Sequence, residues 1–297
     1  MRAFIFSCFL LLLIGCKSDS EKQKLQNGTV EEIEDSSVVG ETANDTLIYS
    51  EENVELNKTK SIVIKQKELI EKVDEKEEFE ELLINKSYVK DEDLYTIDFR
   101  YPLLNEGYKA SYENFNEYIQ DYYVDITGTE AAILEAKELI CDTIPTNNFR
   151  EKRFIDYKVY NLNDRLISVL FYKENFYSGT LHPSYSFDCM NFDLNRSVFM
   201  NYEDFFIDGS EKEFRAILNE VISAEITIGK KYYDCWVISE DDFFEYKDNF
   251  VLNEDYVEYY FDDCVVCPSY TGSYSVKIPL KMLLPVLKKY HLNPLKG

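Results

Sequence analysis

Apolar and polar positions fall into three regimes along the chain. Residues 3–14 are an almost unbroken apolar run behind Met1 and Arg2. Residues 17–60 are polar, acidic and small, with no sustained period, as in the stretch QNGTVEEIEDSSVVGETANDT. Such a segment buries too little apolar surface to offset the entropy of ordering it, and predicts a flexible tether over 16–60. From 62 onward apolar residues return at helical spacing, with Leu69, Ile70, Val73, Leu82 and Leu83 set among Glu and Lys, which predicts a surface helix over 61–84.

The third regime, from residue 85, has the patterning of a folded domain. Positions 94–100 alternate as a half-buried strand does, and Pro102 is expected to end it. Tyr112, Phe115, Ile119, Tyr122 and Ile126 recur every three or four residues and predict an amphipathic helix stopped by Gly128. A second helix is expected over 129–141, before Pro145. The period then falls to two. Residues 154–160 and 166–172 read as strands joined across Asn163-Asp164, a turn-forming pair, and therefore as a hairpin. Further strands are predicted at 185–194, 243–252, 256–261 and 274–278. A helix face is marked by Phe214, Ile217, Leu218, Val221 and Ile222, and a closing helix spans 281–290. Strands grouped in meanders, with helices between the groups, predict an α+β fold with a largely antiparallel sheet and helices packed on it. It divides into a small N-terminal α+β subdomain over 85–165 and a second α+β domain over 166–292.

Charge narrows the choice of partner. With 56 acidic against 32 basic residues the net charge is −24, so the surface repels phosphate and nucleic acid is excluded as a partner. Aromatic residues make up 15% of the chain, enough to fill the core of a sizeable domain.

The N-terminus sets the location. Arg2, the apolar run and Leu13-Ile14-Gly15-Cys16 look like a bacterial lipoprotein signal with its lipobox, cleaved after residue 15. The run is too short to span a bilayer, which takes roughly 20 residues. Cys16 would then be the first mature residue, acylated with palmitate-type chains, and several such chains hold a protein firmly in a membrane. Lys17 stands where Gram-negative lipoproteins retained at the inner membrane carry Asp, so in such a cell the outer membrane or surface is expected.

Three features carry candidate chemistry. The first is an acidic run, Glu240, Asp241, Asp242, Glu245, Asp248, Glu254, Asp255, Glu258, Asp262 and Asp263, against the single Lys247. A field of one sign steers a cationic protein toward this predicted hairpin and raises its association rate. Equally, such acids can merely keep an envelope protein soluble; a calcium site is a further reading, although no stretch has the spacing of a calcium loop. The second is the cysteine set of the mature domain, Cys141, Cys189, Cys235, Cys264 and Cys267. Cys264-Val265-Val266-Cys267 is a CxxC that can close a local disulfide, hold two separately paired or free thiols, or act in redox, though Pro268 follows where a redox helix would start. The third is His182, in Gly-Thr-Leu-His-Pro near Ser184 and Asp188. It can brace its loop, touch a ligand, or belong to a hydrolase, for which no GxSxG elbow is present. The lone Trp236 can stack on a sugar face or fill a core beside a strand. No cofactor and no metal set is indicated.

Five blocks in order resemble the RsiV-like domain of bacterial anti-sigma factors and envelope proteins. They are Leu166 to Tyr172, Gly179 to Pro183, Asn191 to Leu194, Tyr202 to Phe206 and Tyr270 to Pro279; the small domain that usually precedes it resembles Ile97 to Pro102 with Phe115 to Ile119. The resemblance implies an extracytoplasmic binding module: one member captures host lysozyme to release a sigma factor, and others sit beside domains that edit peptidoglycan. The family's Gly-Gly-Ala-His is here Gly179-Thr180-Leu181-His182. On this reading the chain is expected to have neither the spanning helix nor the cytosolic region of the sigma-factor relay. Its only histidines, His182 and His291, are too far apart in sequence for the Asp and two closely spaced His residues of a deacetylase metal site. The expectation is a non-enzymatic, envelope-anchored binding or sensing lipoprotein that captures a cationic cell-wall-directed protein such as lysozyme, or a cell-wall glycan. A structural envelope lipoprotein and an unrecognised peptidoglycan hydrolase are the alternatives.

Overall fold

A computed structural model describes residues 81–138, 150–178, 180, 183–268, 271 and 274–288. The signal with Cys16, the tether, Cys141 and His182 lie outside these residues, as does the helix expected at 61–84 except for its last four positions. There Leu83 and Ile84 open a strand instead.

That strand, β1 (Leu83–Asp91), pairs antiparallel with β2 (Tyr95–Leu104). The sheet continues through β3 (Glu151–Leu162), β4 (Leu166–Phe176), β5 (Ser184–Asp193) and β6 (Val198–Met200), six strands in sequence order. The β2–β3 pair is parallel and the other four pairs are antiparallel. A parallel pair requires a crossover, and the intervening chain supplies it with α1 (Glu113–Glu117) and α2 (Ile126–Glu138). The predicted hairpin is β3–β4, with Asn163 Oδ1 accepting from the N–H groups of Arg165 and Leu166 at 2.9 Å each to close the turn. The division at 165/166 falls in this turn, so one sheet runs through both parts of the domain.

Two expectations about this half are corrected. Pro102 does not end β2: it pairs with Asn85 beyond Phe99, the last β2 residue paired with β3, so β2 there has a ladder on one side only and tolerates a missing N–H. Nor does the first helix run to Gly128. The chain winds as a π-helix over Tyr118–Val124 and stops at Asp125, whose φ of 34° is left-handed. The wider π turn buries Ile119 and Val124, five apart, and leaves Tyr122 exposed, although a period of 3.6 puts Tyr122 on the apolar face. Gly128 lies inside α2, its N–H donating to Asp125 Oδ1 at 2.9 Å.

The second half contains α3 (Tyr202–Phe205), α4 (Glu211–Thr227) and α5 (Glu240–Tyr246). An antiparallel three-stranded sheet follows, β7 (Phe250–Leu252), β8 (Tyr256–Tyr260) and β9 (Ser275–Pro279), and then α6 (Leu280–Leu283). The strand expected at 243–252 is therefore a helix followed by a short strand. Ser239 and Asp242 form a capping box, which satisfies the first helical N–H groups and fixes the helix start before the alternation of rings and acids can act as a strand. The closing helix, expected at 281–290, is confined to four residues followed by a turn around Pro285, which cannot donate to a helix.

The core has three parts. One face of the six-stranded sheet, with Ile97, Phe99, Ile155, Val169, Phe171 and Phe192, packs against Phe115, Ile119 and Ile133 of the crossover. The alternate residues of β4 and β5, Leu170, Tyr172 and Phe187, pack on the other face against Val251, Tyr260 and Tyr274 of the second-sheet region. The third part joins α3, α4 and α5 to β7–β9 through rings: Phe206 meets Phe214 edge-on at 4.7 Å, and Phe214 lies 5.2 Å from Tyr259. Each such buried ring contributes on the order of 1.5–3 kcal/mol by leaving water.

Candidate functional site

The acidic run does not form the two-stranded hairpin expected of it; its members fall on a helix, a turn, a strand and a loop. Asp242 accepts from the Ser239 N–H at 3.2 Å and from its hydroxyl at 2.6 Å, while Ser239 Oγ accepts from the Asp242 N–H at 3.1 Å. Glu240 faces Arg215 at 3.6 Å. Asp248 accepts the Tyr202 N–H at 2.6 Å, which ties the end of α5 to α3. Glu254 and Asp255 are exposed in the β7–β8 turn, where the Asp255 carbonyl accepts the Leu280 N–H at 2.9 Å. Glu258 is buried, accepting from Ser275 Oγ at 2.7 Å with Lys277 Nζ at 3.9 Å. Asp262 accepts the Phe187 N–H at 3.4 Å, joining the two sheets, and burial holds its carboxyl above the usual aspartate range. Asp263 is half-buried, and Asp241 and Glu245 are exposed on α5. Four of the acids thus have assigned work inside the fold, and the remainder do not share one strand face.

The cysteines pair differently from the local expectation. Cys267 bonds Cys235, across a sequence separation of 32, and not Cys264 three residues before it. The bridge ties the loop after α4 to the segment between β8 and β9. Cys189, on β5, is a free thiol at the interface of the two sheets, and burial pushes its pKa up, the reverse of what a nucleophilic cysteine needs. Next to the bridge, Trp236 is 42% exposed and not a core ring, so the sugar-stacking reading keeps its geometry.

His182 lies outside the described residues, but the strand ends that lead into its loop are described. There Glu151, almost fully buried, pairs with Arg153 and stands 4.0 Å from Lys137, whose ammonium is held below the usual lysine range by burial. The Arg153 guanidinium stacks 4.1 Å over Tyr177 and donates to the Phe176 carbonyl at 3.1 Å; Lys137 also bonds Ser178. This charged cluster fastens Phe176, Tyr177 and Ser178, at the end of β4, to the start of β3 and to α2. Sequence reasoning missed it, although Glu151-Lys152-Arg153 carried a signal in two opposite charges one residue apart on one strand face. Among the described residues no group of three or more His, Cys, Asp or Glu side chains is arranged to hold a metal ion, and no helix is long and apolar enough to cross a membrane.

Comparison with known proteins turns on similarity over part of the chain. No family model matches it. Over 151 residues, 50% of this chain and 32% of the relative, it is 24% identical to the peptidoglycan-N-acetylmuramic acid deacetylase PdaC of Bacillus subtilis (strain 168). The chain thus corresponds to about a third of that relative's length. A DUF3298 family protein from Pseudomonas aeruginosa PAO1 superposes with a TM-score of 0.50 at 15% identity, over 70% of this chain and 93% of that one. A member of the same family from Bacteroides fragilis NCTC 9343 superposes with a TM-score of 0.48 at 15% identity, over 72% and 96%. The likeness to the Pseudomonas protein is one of fold. That fold is α+β, as the alternation and the helical spacings predict.

Sequence reasoning also passed over the surroundings of Trp236. Ile228, Tyr232, Tyr233 and Val237 are all more than half exposed in the loop that carries it. The signal was present in the local density of large residues between the end of α4 and the start of α5, without the period of either element.

Proposed function

We propose that the chain is an envelope-anchored, non-catalytic module that holds on to the cell wall from outside the cytoplasm. The observation that carries this reading is the stretch covering half the chain that is similar to a protein named for its action on peptidoglycan. The RsiV-like resemblance points to the same surroundings, and the lipobox at Cys16 supplies a tether to a membrane. The deacetylase chemistry stays with the relative. Histidines 182 and 291 are too far apart in sequence for the Asp and two closely spaced His residues of a deacetylase metal site, and burial pushes the pKa of the Cys189 thiol up, away from reactivity.

The experiment is co-sedimentation of the purified chain with peptidoglycan sacculi, with palmitate labelling of the wild type and of Cys16→Ser. Retention on sacculi and label lost with Cys16 are the expected results; a chain that stays in the supernatant contradicts the wall reading, and label that persists without Cys16 contradicts the anchor.

A second reading is capture of a cationic wall-active protein such as a lysozyme, favoured by the net charge of −24 and by the exposed Glu240, Asp241 and Glu245 of α5. It predicts lysozyme retention that falls steeply as salt rises, because exposed charges are screened over about 8–10 Å at physiological salt.

A further inference from the structure

The loop between α4 and α5 presents its large side chains to water while its backbone is fastened at both ends. Within ten residues Ile228 is 64% exposed, Tyr232 54%, Tyr233 78%, Trp236 42% and Val237 55%. Burial is the usual fate of large apolar side chains, and five exposed ones concentrated in one short loop point to a contact surface.

The fastening is extensive. Gly229, at φ 73°, turns the chain out of α4, and the N–H groups of Lys230 and Lys231 donate back to the Glu225 carbonyl at 2.9 and 3.1 Å. The Lys231 ammonium is buried, donating to the Ser275 carbonyl at 2.8 Å with Glu225 at 3.5 Å. Cys235 is bonded to Cys267, and the Trp236 N–H donates to the Val266 carbonyl at 3.0 Å. Asn219, on α4, closes the far end by accepting from the Ile238 N–H at 2.7 Å and donating to its carbonyl at 3.0 Å. A loop held in this way has little conformational freedom left to lose when it binds.

We infer that this loop is the contact surface for a chain of uncharged pyranose rings, with Tyr233 and Trp236 as the stacking platforms. The inference rests on the wall-binding reading and gives it an address. Charge selects the occupant. The loop carries Lys230 and Asp234, which offset each other, because Lys231 is already engaged with Glu225 and Ser275. A membrane surface of anionic lipid and a second copy of this chain are both repelled by a protein of net charge −24. A glycan backbone carries no such penalty. Its C–H faces suit flat aromatic rings, and the phenol and indole edges supply hydrogen-bonding groups to its hydroxyls. Exposed Tyr and Trp on a stiff loop also provide large contact area with few torsions to freeze.

Trp236 is the one tryptophan of the sequence, so its fluorescence reports this loop alone. The full chain carrying Cys16→Ser, which removes the acyl anchor, is titrated with an N-acetylglucosamine oligomer, with sacculi, and with vesicles of phosphatidylglycerol and phosphatidylethanolamine. The expected results are a blue-shifted, saturable signal with the oligomer, at least tenfold weaker binding for Tyr233→Ala, and loss of sacculus binding for Trp236→Ala. Melting temperatures should match the parent, and Tyr122→Ala, an exposed ring on another element, should bind as the parent does. Sacculi bound equally by parent, Tyr233→Ala and Trp236→Ala would overturn the address and leave the wall reading standing. A parent that binds no sacculi would overturn both. A shift with vesicles and none with the oligomer would overturn the glycan as occupant.

Discussion

Residues 228–237 and 240–263 lie close in sequence and are both dense in aromatic rings, yet the first turns its rings outward and the second turns most of its rings in. In the second, Phe243, Phe250, Tyr259, Tyr260 and Phe261 are buried, and Asp242, Asp248, Glu258 and Asp262 each hold a backbone or side-chain donor. In the first, backbone hydrogen bonds to Glu225 of α4 and to Val266, together with a disulfide, hold the loop, so the side chains need not pack to keep it in place. The difference lies in what fixes the chain. Where rings fix it they are lost to the core; where a bridge and backbone bonds fix it, the rings are left available for a partner.

The sharpest test of the contrast uses two adjacent phenylalanines on α5. Phe243 is enclosed by Tyr202, Phe214 and Tyr259, with centroids at 6.0, 5.7 and 6.4 Å, whereas Phe244 is half exposed. Phe243→Ala should destabilise the fold by about 3–5 kcal/mol in urea unfolding, and Phe244→Ala by no more than about 0.5 kcal/mol. Comparable losses at the two positions would mean that α5 is not seated as described.

The bridge comes next. Closing a loop of this length is worth about 3–4 kcal/mol in the chain-entropy account. Cys235→Ser should therefore lower stability by roughly 2–4 kcal/mol, and Cys264→Ser by much less, under non-reducing conditions. Mass mapping of the oxidised chain should find the Cys235–Cys267 link. A Cys264–Cys267 link would contradict it. At the start of α5, Ser239→Ala removes one half of the capping box and should cost about 1 kcal/mol, read as a shift in the denaturation midpoint.

Much of the fold was legible because its signals are local. Asn163-Asp164 between two runs of period two marks the β3–β4 hairpin, and Phe214, Leu218, Val221 and Ile222 mark the buried face of α4. What was not legible depended on competition between signals or on distance. At 240–246 the capping box outweighs a ring-and-acid alternation that also fits a strand. Near 122 a π turn slips the helical register, which a fixed period cannot show. The Cys235–Cys267 pairing joins segments that only the tertiary fold brings together, and spacing favours the nearer Cys264. The acidic run was visible as composition, but its division between internal acceptors and exposed charges follows from which donors the fold places beside each carboxylate. The exposure of Trp236 likewise follows from a bridge whose partner could not be read from spacing.

The smallest expected effect probes an inward-facing acid. Asp262 meets the Phe187 N–H and the Tyr246 hydroxyl, near Asp188 and Glu245, and burial is the largest influence on its carboxyl, raising its pKa in the folded state. An unfolded aspartate titrates near about 3.9. Between that value and the raised one the folded chain binds more protons at this site than the unfolded chain does, so this group's contribution to stability falls as pH rises through the window and is level on either side. Asp262→Asn keeps an oxygen that can accept from Phe187 and removes the charge. The stability of the variant relative to the parent should therefore climb with pH through the window and then level off, in urea midpoints taken from about pH 3 to about pH 7. A difference that stays constant, or that falls with pH, would mean that the carboxylate is better solvated than its surroundings imply, and would move Asp262 to the outward-facing side of the comparison.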